Sequence, residues 1–350
     1  MTDRIIQHIA EVAERWTDPE YDVRVDAVEE TLEADNSFTE ASVTVAINRC
    51  MHHLTPDALA GWSDRLRSAA EGAGDRTVGV LNPGNIPLVE VQDFAAVLLA
   101  GFSYAGTVSS RSPALFPAFV EDLRREDPGL PAHIGGLDDV LTGVDALIAS
   151  GTDETMGMVA ERARAAGLPD ASLWLRGHRF GVAVLDGRES EEERAALAED
   201  VLLHEGAGCR SVAIVWAPSG TSPDPWLESF AEFRAAVPAP DSTTGRLKMQ
   251  QAFLAAVDTP HAWAEDFQFL VSRGDPEPQG PAHLRWCEYE SIDEAKNWIT
   301  RHRESIQEVY VTERLGRSFP DASRPGDAQH PPLDWCPDQL CHADFFSRIC

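Results

Sequence analysis

The chain has 350 residues, 43% hydrophobic and 25% charged, a globular composition that excludes a disordered or fibrous polymer. Twenty-nine Lys and Arg stand against 58 Asp and Glu, a formal charge of −29, which repels phosphate backbones and anionic lipid and disfavours nucleic-acid or membrane partners. The most apolar stretch, 94–105, is shorter than the roughly 18 residues of a membrane span, and no basic flank with an apolar run opens the chain, so a cytoplasmic protein of about two domains is expected.

Ile5, Ile6, Ile9, Val12, Ala13 and Trp16 recur at helical spacing and predict a first helix over 3–16, followed by acidic helical sequence to Gly72. Thr77 to Leu81 reads as a buried strand, Asn82 to Pro87 as a loop, and 90–100 as a helix stopped by Gly101. A strand over 102–108 precedes a helix opened by Ser112-Pro113 and running to about Arg125. Strand 144–149, helix 155–166, short strands 172–175 and 182–185, acidic helix 190–204 and buried strand 211–216 follow. Helices are next expected over 226–236 and 244–257, strands over 267–271 and 283–289, helix 292–303 and strand 308–312. Such alternation argues for right-handed crossovers and mostly parallel sheets with helices on both faces.

Only Lys248 and Lys296 are lysines, a pattern resembling acid-rich proteins of salt-loving organisms, where ions screen self-repulsion; plain acidic solubility is the simpler alternative. Six cysteines are too sparse for a disulfide scaffold, and reduced thiols are expected. His330, Cys336, Cys341, His342 and Cys350 cluster in the tail, but paired Cys-x-x-Cys spacing is absent, so no metal is assigned. Cys50, His52 and His53 read as helix surface or core, and Glu189 to Glu193 as a solvated helix start.

Two segments could carry chemistry. In Gly206-Ala207-Gly208-Cys209-Arg210-Ser211 a helix ends in glycines, a cysteine sits in the turn and a buried strand follows. Glycines permit a sharp reversal that points Cys209 into a cleft with main-chain N–H groups around it, and Arg210 would favour a thiolate. By spacing alone, a small buried hydrophobe after a helix cap is the commoner outcome. Asn82 to Pro87 joins a strand's carboxyl end to a helix, where open α/β sheets bind ligands; an Asn–Pro turn without a ligand is equally compatible.

Gly-Asn-Ile-Pro-Leu at 84–88, Ser-Ser-Arg-Ser-Pro at 109–113, Ser-Gly-Thr-Asp-Glu-Thr at 150–155 and Glu-Gly-Ala-Gly-Cys-Arg-Ser at 205–211 occur in order. Together with Pro325-Gly326-Asp327-Ala328-Gln329 they resemble the LuxC-type fatty acyl-CoA reductases of the aldehyde dehydrogenase superfamily, over roughly Arg76 to the C-terminus. The resemblance implies an α/β fold with two Rossmann-like parallel-sheet domains and a helical N-terminal segment. It makes Cys209 the nucleophile and Asn85 the oxyanion amide. Pro83, Thr107, Ser109, Gly151, Thr152 and Glu277 fall at cofactor-binding positions, for NADPH with NADH as the alternative.

Two departures stand out. Thr107 replaces the lysine usual at the adenosine ribose, and the general-base Glu would fall near Leu175, so that base is missing. Hydrolysis of an acyl-enzyme needs a base, whereas thioester reduction needs hydride delivery and oxyanion stabilisation. The sequence therefore leads to an acyl-CoA or acyl-carrier thioester reductase working through an acyl-cysteine. Another aldehyde dehydrogenase-type oxidoreductase and a non-catalytic thioester- or nucleotide-binding relative are the alternatives. The expected organisation is a helical segment 1–75, a dinucleotide-binding domain 76–205, a cysteine domain 206–320 and a tail 321–350 packing back or joining a homo-oligomer interface.

Overall fold

The computed structural model describes residues 2–72 and 74–350, the side chain of Thr2 aside, and divides into two compact units. The first comprises residues up to 36, 43–178 and 332–350; the second comprises 37–42 and 179–331.

Helices α1 (Thr2–Trp16), α2 (Asp22–Glu33), α3 (Glu40–His53) and α4 (Pro56–Ala69) lead in. On α1 the periodic set Ile5, Ile9, Val12 and Trp16 is buried, and Trp16 donates from its indole N–H to Asp122 at 3.1 Å. The Thr55 hydroxyl caps α4 at the Ala58 N–H, with Pro56 at the first helical position, where no N–H is missed.

The sheet of the first unit contains β1 (Thr77–Leu81), β2 (Ser103–Gly106), β3 (Ala132–Ile134), β4 (Ala146–Ser150) and β5 (Leu173–Arg176), in the order β3-β2-β1-β4-β5 with every pair parallel. Helices α5 (Glu90–Ala100), α6 (Leu115–Glu126), α7 (Leu137–Thr142) and α8 (Asp153–Ala165) connect the strands. The apolar runs of β1 and β4 are buried, as strands covered on both faces must be. Gly101 ends α5 with φ 95°, a left-handed conformation that glycine adopts without Cβ strain.

The second unit holds β6 (Phe180–Val184), β7 (Val212–Pro218), β8 (His261–Trp263), β9 (Leu270–Arg273), β10 (His283–Tyr289) and β11 (Ile306–Val311), in the order β11-β6-β7-β10-β9-β8. Only the edge strand β8 runs antiparallel. Helices α9 (Glu191–Leu202), α10 (Asp224–Ala236), α11 (Asp241–Ala256) and α12 (Ile292–Arg301) accompany it. The acidic run starts a helix, with Ser190 and Glu193 in a reciprocal capping box at α9, but Glu189 ahead of it is buried rather than solvated, its carboxylate accepting the Asp186 N–H.

Several expectations are corrected. The division expected at 205/206 falls inside a sheet, because β6 pairs with β7 and α9 belongs to the second unit. The helix expected from Ser112-Pro113 begins at Leu115, since Ser112 N–H closes a turn onto Ser109 O at 3.1 Å. Pro117 takes the first-turn place instead, where its lost N–H has no helical partner to miss. The strand expected at 267–271 spans Leu270–Arg273, because Phe267 sits in a turn at φ 59°. The three-residue strands β3 and β8 are too short to leave a periodic signature.

The tail also departs from expectation. Cys336 and Cys341 form a disulfide rather than two reduced thiols, because the turn at Pro337–Gln339 brings their Cα atoms to 4.3 Å. Helix α13 (His342–Ile349) then packs in the first unit with Phe345 and Phe346 fully buried. Among the described residues no helix is long and apolar enough to cross a membrane.

Candidate active site

In the first unit the candidate loops leave the carboxyl ends of β1, β2 and β4, and the chain's direction across the sheet switches between β1 and β4, the place where open α/β sheets form a ligand crevice. Asn82 locks two of these loops together, donating from Nδ2 to Thr107 O at 2.8 Å and to Tyr104 Oη at 2.9 Å. A Cβ on Gly84 would overlap the Ser109 side chain, so the absence of a side chain there lets the loops touch. Pro83, Asn85, Thr107 and Ser109 are all half-buried on this rim. The loop ends at Leu88, a buried residue held at φ 58°, and such strain persists only where surrounding packing enforces it.

Gly151 and Thr152 lie at the end of β4. The Thr152 hydroxyl already caps α8 at the Thr155 N–H, 3.2 Å away, and Asp153 and Glu154 occupy the first turn. These two carboxylates offset the positive end of the helix, so an anion docking there would rely on remaining backbone N–H groups. Leu175 lies in β5, and the next side chain, Arg176, forms a buried ion pair with Asp93, so this position offers no base. The fit of the rim to a dinucleotide rests on Asn82 Oδ1, a buried acceptor at the end of β1 without a hydrogen-bond partner, of the kind a ribose hydroxyl satisfies.

Cys209 lies in the second unit, half-buried and outside the disulfide. The chain leaves α9 through His204, Glu205 and Gly206 at φ 51°, 60° and 68°, three successive left-handed residues of which only the glycine escapes Cβ strain. Glu205 is held there by a fork-to-fork pair with Arg234 of α10, at 2.9 and 3.1 Å, buried on both sides. Burial pushes the Glu205 carboxyl up while Arg234 pulls it back. The chain then makes a four-residue turn closed by Ser211 N–H donating to Gly208 O at 3.0 Å, with Cys209 and Arg210 at its centre, and enters β7. Burial pulls the Arg210 guanidinium's pKa down, while the neighbouring Cys209, Tyr310, Asp200 and Glu308 favour its charged form.

Glu277 is exposed in the loop between β9 and β10. That loop is tied to the cysteine turn by Ala282 N–H, which donates to Glu205 O at 2.8 Å, and to α11 by Arg246, which donates to Pro281 O at 2.8 Å. The structure thus groups Asn85, Pro83, Thr107 and Ser109 on one rim of the first unit, with Gly151 and Thr152 at the end of the adjoining strand, and groups Cys209 with the Glu277 loop in the second. Among the described residues no cluster of three His, Cys, Asp or Glu could hold a metal ion. Sequence reasoning missed Asn82 as the clasp of the rim, and missed Arg234, which lies 29 residues from Glu205 with no local signal linking them.

The profile of the acyl-CoA reductase (LuxC) family matches residues 1–226, which include the Cys209 turn. A search of curated proteins finds no match. Among solved structures the chain is similar to a NAD-dependent benzaldehyde dehydrogenase from Corynebacterium glutamicum, at 15% identity and TM-score 0.68, covering 95% of this chain and 83% of that one. It is also similar to a methylmalonate-semialdehyde dehydrogenase from Oceanimonas doudoroffii, at 12% identity and TM-score 0.70, covering 95% and 78%. HpcC from Thermus thermophilus aligns at 15% identity and TM-score 0.66, covering 92% and 73%. At these identities the structural likeness establishes an aldehyde-dehydrogenase-type α/β fold.

Proposed function

Because this chain belongs to the LuxC acyl-CoA reductase family, we propose that it reduces an acyl thioester to an aldehyde through an acyl group carried on Cys209. Family and fold support an aldehyde-related oxidoreductase. The observation that carries the finer reading is the turn Gly208–Ser211, which holds a half-buried cysteine, outside the disulfide, next to Arg210 and after a strained reversal anchored by Glu205 and Arg234. Strained reversals held in place by surrounding packing collect at functional sites, which supports the nucleophile reading of a cysteine presented from one.

In this scheme Cys209 Sγ attacks the thioester carbonyl, the carbon–sulfur bond to the carrier breaks, and the carrier thiol leaves with a proton. The backbone N–H of Cys209 and the amide of Asn85, the donors the resemblance assigns, stabilise the oxyanion. A reduced nicotinamide, when bound, supplies the hydride that converts the acyl group into the aldehyde. Cys209 departs as a thiolate, a good leaving group near neutral pH, and the positive charge of Arg210 favours that form. Leu175 stands where the resemblance would put the general base of an aldehyde-oxidising relative, so the base that would direct water at the acyl-enzyme is missing from that position, which favours reduction over hydrolysis.

The loops after β1 and β2 would hold the cofactor through Pro83, Thr107 and Ser109, with Gly151, Thr152 and Glu277 as further contacts. Thr107 removes one cation, but Arg111, exposed in the same loop, keeps a positive charge there, and NADPH is the proposed form with NADH the alternative. The test mixes enzyme with an acyl-CoA in the absence of nicotinamide. Wild type is expected to release one equivalent of free CoA per active site and Cys209→Ala none; equal release from both overturns the mechanism.

A further inference from the structure

The Pro325–Gln329 segment has no part in the scheme above, yet it is bound to the cysteine turn. Asp200, fully buried on α9, accepts the Gly326 N–H at 2.6 Å. Burial pushes this carboxyl up to about 7, while the backbone N–H groups of Gly326 and Ala328 pull it back. Gly326 adopts φ 96°, and a Cβ there would stand 3.3 Å from Ala196, so the segment passes close over α9 in a conformation suited to glycine. Ala328 is seated in the same core as Val212 and Tyr310. Past that seat, Gln329 donates from Nε2 to Ser211 Oγ at 3.2 Å.

Ser211 closes the turn that presents Cys209. Its N–H bonds Gly208 O at 3.0 Å, and its carbonyl accepts the Gly181 N–H of β6 at 2.8 Å. Tyr310 of β11 fixes the preceding carbonyl, donating to Arg210 O at 3.0 Å. Gln329 therefore supplies the side-chain tie at the residue on which the turn closes.

We propose that the Pro325–Gln329 segment is a strap for the nucleophile: Asp200 anchors it at Gly326, and Gln329 is a positioning residue that fixes Cys209 through Ser211. The inference rests on Cys209 being the nucleophile. Small displacements of a reacting atom carry large rate penalties, so one polar tie two residues from the sulfur is enough to matter.

The test reads the thiol directly. Alkylation of Cys209 by iodoacetamide is followed by peptide mass spectrometry, which separates it from the exposed Cys350. Gln329→Leu keeps the bulk and removes the tie, and Ser211→Ala removes the other partner. Each is expected to slow Cys209 alkylation about five- to tenfold and to lower kcat in parallel, with KM for acyl-CoA and the thermal midpoint essentially unchanged. The double variant is expected to be no slower than either single one, as for two ends of one bond. Wild-type alkylation by Gln329→Leu, or losses that add in the double variant, overturns the strap. If wild type releases no CoA from acyl-CoA while both variants still slow alkylation, the reductase reading falls, and what stands is that Gln329 positions the Cys209 thiol through Ser211.

Discussion

Glu90 shows how a single residue can carry the cost of a site. It opens α5 directly after the Asn85 loop, is 0% exposed, and neither carboxyl oxygen has a hydrogen-bond partner on another residue. Burial pushes it up to about 8, with nearby Asp93 adding to the shift. The folded protein therefore keeps a proton that the unfolded chain releases above the ordinary Glu range. Stability from this group is greatest at acid pH, declines as pH rises towards about 8, and levels off beyond it. Glu90→Gln retains the shape and cannot ionise. Its free energy of unfolding, measured by denaturant titration, is expected to match wild type near pH 4 and to exceed it at about pH 8.5 by on the order of 5 kcal/mol. Asp93, one turn on, is the opposite case: burial pushes its carboxyl up, but Arg176 and His342 overcome that and hold it well below the usual carboxylate range.

Among the elements, α13 anchors the tail in the first unit through four buried side chains, His342, Phe345, Phe346 and Ile349. His342 donates from Nε2 to the Asp93 carboxylate of α5 at 2.7 Å, the tautomer an ionised acceptor requires, and packs edge-on against Trp62 and Trp174. Phe345 lies against Trp174, and Phe346 against Phe102. Gln92 of α5 donates to the carbonyls of Leu333 and Trp335, tying the approach to this helix. Because Phe345 is fully buried, Phe345→Ala is expected to cost about 3–5 kcal/mol, read as a lowered denaturation midpoint, with no effect on Cys209 alkylation in the folded protein. The sequence marked the tail by its Cys and His residues. Nothing local showed that the cysteines bond to each other or that the histidine faces a carboxylate about 250 residues earlier, since both facts depend on where the chain returns.

For the whole molecule, the net charge of −29, left after 29 Lys and Arg offset half of the 58 Asp and Glu, opposes compaction. Salt screens that repulsion, the Debye length falling from about 10 Å at 0.1 M to about 3 Å at 1 M. The thermal midpoint is accordingly expected to rise over that range, and a flat or falling midpoint in a calorimetric titration would remove the salt-adapted reading. The alternation of strands and helices, the acidic start of α9 and the glycine-flanked cysteine were legible in the sequence, because periodicity, helix-end charge and left-handed turns are energies set within a few residues. Strand order was decided only by the tertiary structure, and with it the membership of β6 and α9 in the second unit, the Glu205–Arg234 anchor and the Gln329–Ser211 tie. Those pairings join residues 29 to 118 positions apart, and their energy exists only once the sheets have brought both ends together.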